Sequence, residues 1–529
     1  MDQALNIYNT YVFPFLTTHK RQARVSISAA IGLLTLYWAY DKIFRPPRQL
    51  RGIPQAPFFG ILKALFTSKP IDELARITLP VANKSPSGLY MRFDQNGWNV
   101  RITRPESAKK FLLKTDLFVK DSVSKSRKET LGGRFIFSAG NILTLNGQDW
   151  KMHRKVANPA FHRSMPIDLF GKLTKKMIYA MDQAKGPIEF HNMTSRITLD
   201  AIGLAGFGFD FNAIGDENNE WTKMYGDFTV AQRNPVFFML TWLDQEPLLR
   251  LFPKRRKAHQ DLTKFLNKLD EIIIHKRQVL EGTIKNDQQP LDDRDKDLLT
   301  LMLEAQQHDG EAVMTNEELK SNLCVFFLAG HDTTANALNF AVYYMAMNKD
   351  IQEKAREEAI RVLGDNPEDV IPNSEQVKSL PYIDMVIKET LRMNPPASAI
   401  FARKPTEDTD LDGVFIPKGQ SVALDIYQLH HNPTVWKDPE VFDPERFSPG
   451  GEYDQLSTTG MPWLPFSSGS RVCIGMNFSM DEQRVVLSML LRKYEWDLPQ
   501  DSPHRKKLML EGLGLTKAKN MFVQFDRRY

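Results

Sequence analysis

Cysteine is nearly absent: Cys324 and Cys473 are the only two in 529 residues. Two thiols exclude a disulfide framework, fit a reducing compartment, and cannot build a Cys-rich zinc or iron–sulfur site. The net charge of +5, from 69 basic and 64 acidic residues, lacks the dense basic face of a nucleic-acid binder, so no nucleic-acid partner is expected. Neither G-x-G-x-x-G nor G-x-x-x-x-G-K-[ST] occurs, so the chain carries no recognisable nucleotide cradle of its own. Gly/Ser linkers and repeats are missing too. Although the length alone would allow three or four domains, an uninterrupted chain that is 42% hydrophobic reads as one large domain with a well-buried core.

One long uncharged run is present, Val25 to Tyr40, bounded by Arg24 and by Asp41-Lys42. Sixteen helical residues span about 24 Å, short of the roughly 30 Å hydrocarbon core, and snorkelling of Arg24 and Lys42 together with Ile43-Phe44 would make up the difference. The run starts too far from the N-terminus, and lacks a small-x-small site after it, to be a cleaved signal peptide. A buried core helix stays open as the other reading. Pro46-Pro47, Pro54 and Pro57 then read as a stiff, extended arm. The expected organisation is a lumenal or interfacial segment over residues 1–24, a transmembrane anchor over 25–44, a proline-rich hinge over 45–57 and a catalytic domain over 58–529. Flanking charges stand on both sides of the run and leave its orientation open.

Helical periodicity dominates the body, as in Lys254 to Leu280, Leu298 to Gln306, Asn316 to Met347, Ile351 to Leu363 and Tyr382 to Met393. Strand-like pieces are short: Gly88 to Phe93, Trp98 to Ile102, Val414 to Ile416, Ser421 to Leu424 and Met521 to Phe525. Leu280 to Arg294 reads as a polar surface loop. The predicted class is mainly α with small β-sheets (α+β).

The most informative segment is Phe466-Ser467-Ser468-Gly469-Ser470-Arg471-Val472-Cys473-Ile474-Gly475, or F-x-x-G-x-R-x-C-x-G. Five fixed residues at fixed spacing, one of them a rare Cys, arise by chance on the order of 10⁻⁵ per chain. A thiolate bound to haem iron needs backbone N–H groups aimed at the sulfur, glycines for a tight turn and close approach, and a nearby cation for a propionate. This loop offers all three, with Arg471 as the cation and Phe466 to shield the sulfur from water. The apolar-faced helix predicted from Met476 to Lys493 puts Cys473 before a helix N-terminus, where the dipole favours a thiolate.

The segment resembles the haem-binding signature of the cytochrome P-450 superfamily, and further motifs of that family follow the expected order from near residue 46 to the C-terminus. One departure is Ser467, where many members carry glycine. The resemblance implies haem b (iron protoporphyrin IX), with Cys473 as the axial ligand of its iron. It implies a buried structural triad of Glu389 and Arg392, from Glu389-Thr390-Leu391-Arg392, with Arg446, from Pro444-Glu445-Arg446-Phe447. Trp150 and Arg154 match W-x-x-x-R, one turn apart on a helix, and would bond a propionate, as would Arg403. In Ala329-Gly330-His331-Asp332-Thr333-Thr334, the Thr333 hydroxyl is placed to bond the Ala329 carbonyl and bend the long helix. The family carries an acid–alcohol pair here, so Asp332 and Thr333 are the expected catalytic residues, delivering protons for O–O cleavage.

That pair favours monooxygenation, one oxygen atom entering the substrate and the other leaving as water. An isomerase or dehydratase of the same fold, needing no external electrons, and a haem sensor without turnover are the alternatives. The resemblance further implies electrons from NADPH and flavins held by a separate NADPH-cytochrome P-450 reductase, with cytochrome b5 as a second possible donor. By the same resemblance, Phe137, Phe326, Ala329, Ile400 and Leu515 line an apolar distal pocket, and Val236 to Leu240 lies at its access channel and touches membrane. A lipophilic substrate follows: a steroid or other terpenoid, a fatty acid or a xenobiotic. The sequence has the look of a fungal microsomal member, single-pass in the endoplasmic reticulum membrane with its catalytic domain facing the cytosol.

Overall fold

The computed structural model describes residue 10 and residues 20–95, 97–162, 165–285, 296–308, 314–512 and 514–529. Most of the segment expected over 1–24 lies outside the described residues. Helices make up the body, and short sheets sit along one side. Helix α1 (Lys20–Phe44) carries the apolar run with its side chains exposed, Leu33, Leu34 and Leu36 each by about two thirds. Among the described residues no helix is long and apolar enough to cross a membrane. Serines, threonines and tyrosines thin the run, and Arg24, Asp41 and Lys42 close it early. The arm after α1 is fastened rather than free: Trp98 Nε1 donates to the Ile43 carbonyl at 3.1 Å, and Arg51 pairs with Asp41 at 2.5 Å.

Five strands form the main sheet: β1 (Leu89–Asp94), β2 (Gly97–Ile102), β3 (Phe118–Lys120), β4 (Arg403–Pro405) and β5 (Val422–Leu424), in the spatial order β1-β2-β5-β4-β3. Only the β2–β5 pair is parallel, and β3 pairs antiparallel with β4 so that Lys120 stands opposite Arg403. A second sheet joins Ile188–Glu189, Phe522–Arg527 and Tyr494–Asp497. Of these, β3, β4 and Tyr494–Asp497, three or four residues each, have too little alternation to be read from sequence and were not expected. The helix expected over Lys254 to Leu280 runs as Pro253–Lys285, so the start of the anticipated loop is helical, and residues 286–295 lie outside the described residues.

The helices that frame the site are α2 (Gly147–His162), α3 (Phe190–Ile202), α4 (Glu220–Gln232), α5 (Asn316–Met347), α6 (Pro381–Met393) and α7 (Met476–Lys493). Helix α5 starts at a capping box: Thr315 Oγ1 accepts from the Glu318 N–H and Glu318 Oε2 accepts from the Thr315 N–H, at 3.2 and 2.8 Å. It is apolar on nearly all sides and is the core's central rod. Its buried run is interrupted at Ala329, Asp332 and Thr333. Helix α3 lies along α5, and a Cβ on Gly330 would come within 2.9 Å of the Ile202 side chain, which fixes how closely the two helices approach.

Candidate functional site

Three parts of the chain carry the expected site: the loop before α7, the cations gathered beside it from α2, the loop and the main sheet, and the interrupted stretch of α5. In the loop, the Cys473 N–H donates to the Phe466 carbonyl at 2.8 Å and the Val472 N–H to the Gly469 carbonyl at 3.1 Å, closing a tight turn. Gly469 has φ +67° and Ser467 φ +59°. The second explains why glycine is common at that position: the left-handed region carries no penalty without a Cβ. Cys473 is enclosed by the fold yet accessible. Burial pushes its thiol up, while the Gly475 N–H and the Arg154 charge favour the thiolate.

The guanidinium of Arg471 stacks 3.9 Å above the Trp150 ring and donates to the Leu145 carbonyl at 2.8 Å. Arg154 donates to the Val472 carbonyl at 2.9 Å, tying α2 to the cysteine loop. Arg403, 2% exposed, lies over Phe111. Lys120, which sequence reasoning missed, joins them and donates to the Leu143 carbonyl. Among the described residues no carboxylate pairs with Lys120, Arg154, Arg403 or Arg471. Burial, Arg471 and Arg403 push Lys120 down to about 7. Burial lowers Arg403 to about 10, and burial, Arg403 and Arg154 lower Arg471 to about 10. Arg403 Nε and Arg471 Nη1 are buried without a hydrogen-bond partner. A cluster of buried and half-buried cations with orphaned donors calls for anions, and the two carboxylates of haem b suit that donor set beside a cysteine.

On α5, Thr333 Oγ1 donates to the Ala329 carbonyl at 2.7 Å, the bond anticipated from sequence. Asp332 accepts from Tyr225 Oη of α4 at 2.8 Å, and His331 Nδ1 stands 3.3 Å from its other oxygen. Tyr225 gave no sequence signal, because 107 positions separate it from Asp332. Glu389, Arg392 and Arg446 come together: Arg392 donates to both Glu389 oxygens at 2.7 and 2.8 Å, and Arg446 Nε lies 3.5 Å away. The Asp443 N–H donates to the same carboxylate at 2.9 Å, and burial raises Glu389 against these partners. The triad meets the cysteine loop through neighbours: Arg392 donates to the His430 carbonyl, and His430 Nε2 faces the Leu464 N–H at 3.0 Å.

The expected pocket residues divide. Phe137 and Phe401, ring centroids 6.4 Å apart, line a cavity of about 250 Å³ that Lys120 also borders. Ala329 is exposed, and Ile400 and Leu515 are half-buried. Phe326 is 3% exposed and packed on Phe161 at 5.7 Å, a core position rather than an open wall. A larger surface cleft of about 1050 Å³, between Lys172 and Ile371, includes none of the expected site residues.

The chain matches the family model "Cytochrome P450" over residues 52–525. It belongs to the cytochrome P450 family. This P450 is 32% identical over 390 residues to taurochenodeoxycholic 6 alpha-hydroxylase of Sus scrofa, covering 72% of this chain and 73% of that one. It is 29% identical over 479 residues to cytochrome P450 4F8 of Homo sapiens, covering 87% and 88%. Its fold is similar to the haem domain of cytochrome P450DA, with a TM-score of 0.72 at 22% identity over 90% of this chain and 98% of that one. The P450 is therefore a monooxygenase with haem b as cofactor.

Proposed function

We propose that this P450 hydroxylates a lipophilic small molecule, with Cys473 as the axial ligand of the haem iron and Asp332 and Thr333 as its proton-handling pair. The buried and half-buried cations around the accessible Cys473 thiol carry the reading: among the described residues, Arg154, Arg403, Arg471 and Lys120 have no acid partner. The two propionates of haem would neutralise them, with Trp150 stacked under Arg471 to hold that side chain in place. When bound, the haem supplies dioxygen activation. The chain's residues do the rest. The Gly475 N–H and Arg154 stabilise a thiolate at Cys473 Sγ, and Phe466 covers the loop. Asp332 gives a proton to Thr333 Oγ1, whose hydroxyl is already oriented by the Ala329 carbonyl. Glu389, Arg392 and Arg446 brace the loop's support.

The paired rings of Phe137 and Phe401 in the cavity of about 250 Å³ support a lipophilic substrate, and the similarity to a taurochenodeoxycholic 6 alpha-hydroxylase supports a hydroxylation. Electrons come from NADPH through a separate flavoprotein reductase. Attachment is to the endoplasmic reticulum membrane, through the exposed apolar surface of α1 and a second patch where Phe59, Phe238 and Trp242 are exposed, by 71%, 45% and 55%. The experiment is a reduced carbon-monoxide spectrum of the parent and of Cys473→Ala, followed by product analysis with reductase, NADPH and a panel of steroids and fatty acids. The parent is expected to show the thiolate-shifted Soret band and Cys473→Ala to lose it. An unchanged band in the variant sinks the assignment.

A further inference from the structure

Among the described residues, Tyr225 is the side chain from outside α5 that bonds Asp332, Oη to Oδ2 at 2.8 Å. Its ring stands edge-on to His331, centroids 5.1 Å apart at 74°, and against Phe327 at 5.0 Å. We propose that Tyr225 is a positioning residue for Asp332: its hydroxyl holds one carboxylate oxygen so that only the other is free to carry the proton handed to Thr333. The proposal rests on the Asp332–Thr333 reading above.

Three observations support it. The phenol is fully enclosed, and burial together with the Asp332 charge raises its ionisation well above 10, so it stays a donor across the working range. A carboxylate that always receives this bond keeps a fixed orientation. The neighbouring ring faces the other oxygen, His331 Nδ1 standing 3.3 Å from Oδ1, and burial lowers it against the opposing pull of the Asp332 charge and the Ser195 backbone. The other charged or titratable groups stand behind these two: Arg233 acts on Tyr225, and Lys517, His331 and Arg233 act on His191. Asp332 Oδ1 therefore takes a proton from solvent hydronium, which leaves as water, and passes it to Thr333 Oγ1 as that hydroxyl gives its own proton to the oxygen atom that leaves as water, so Asp332 ends as the carboxylate it began as.

Tyr225 also belongs to an aromatic cluster with Phe135, Phe228, Phe265 and Phe327, so Tyr225→Phe keeps the packing and removes only the hydroxyl. The test uses the full-length holoenzyme with reductase, NADPH and a turned-over substrate. Tyr225→Phe is expected to retain the thiolate-type carbon-monoxide band and to release at least twofold more hydrogen peroxide per NADPH. Adding Tyr225→Phe to Asp332→Asn is expected to change coupling no further. In infrared difference spectra, the carboxylate band that disappears in Asp332→Asn is expected at a shifted frequency in Tyr225→Phe, because it has lost the donated bond. Parent-like coupling and an unmoved band in Tyr225→Phe, with Asp332→Asn uncoupled, overturn the role of Tyr225. Parent-like coupling in Asp332→Asn overturns the acid–alcohol reading and this proposal with it.

Discussion

At the scale of single residues, the site is defined by charges that the protein does not balance itself. Replacing Lys120 by Met removes a buried cation while keeping its length. It is expected to weaken haem retention by about 1–3 kcal/mol, the range for a lost hydrogen bond to a charged group, read as faster haem transfer to a competing apo-globin. Ser467 makes the opposite case. Its φ of +59° is a conformation that favours glycine, so Ser467→Gly is expected to stabilise the loop by up to about 1 kcal/mol in chemical denaturation. His191 gives a pH signature. Burial, Lys517 and His331 hold it down at about 3, whereas an unfolded histidine binds its proton near pH 6.5. Between those values the unfolded chain carries the extra proton, so stability is full above pH 6.5 and falls as pH drops toward 3, by about 1.4 kcal/mol per unit. His191→Gln is expected to flatten that slope in melting temperatures recorded from pH 4 to 6.5. The same scale shows what sequence could carry. Phe466 to Gly475 is contiguous and its chemistry is local, so Cys473 and Arg471 were legible. Tyr225 and Lys120 were not, because each matters only through residues far away in the chain.

At the scale of elements, α5 holds the site by being buried everywhere else. The contact between Gly330 and Ile202 sets its distance from α3, and Thr334 Oγ1 donates to Ser479 Oγ at 2.9 Å to bind it to α7. Gly330→Val is expected to force these helices apart, destabilise by about 1–3 kcal/mol and move Thr333. Thermal unfolding and substrate-induced spin-shift spectra check the two effects. Long helices with sustained periodicity, such as Asn316–Met347 and Met476–Lys493, were legible to the residue. Among the short strands, Val414–Ile416 and β5 were legible, whereas β3 and β4 were not, since their existence depends on a partner strand rather than on a pattern. Phe326 was misassigned to the pocket for a related reason. Its place in the chain puts it on the right helix, but the face it presents is decided by Phe161 on α2.

At the scale of the whole molecule, one helical body carries a small sheet whose last two strands bring Lys120 and Arg403 face to face. Like charges directly opposite one another oppose strand pairing. The edge of this sheet is thus a place where the polypeptide by itself is in conflict, and an anion held beside Lys120 and Arg403 would ease it. The consequence reaches into biogenesis. A chain made where haem is scarce should linger with β3 and β4 unpaired, exposed to proteases and to aggregation, so supply of the pigment would act as a checkpoint on how much of this protein a cell accumulates.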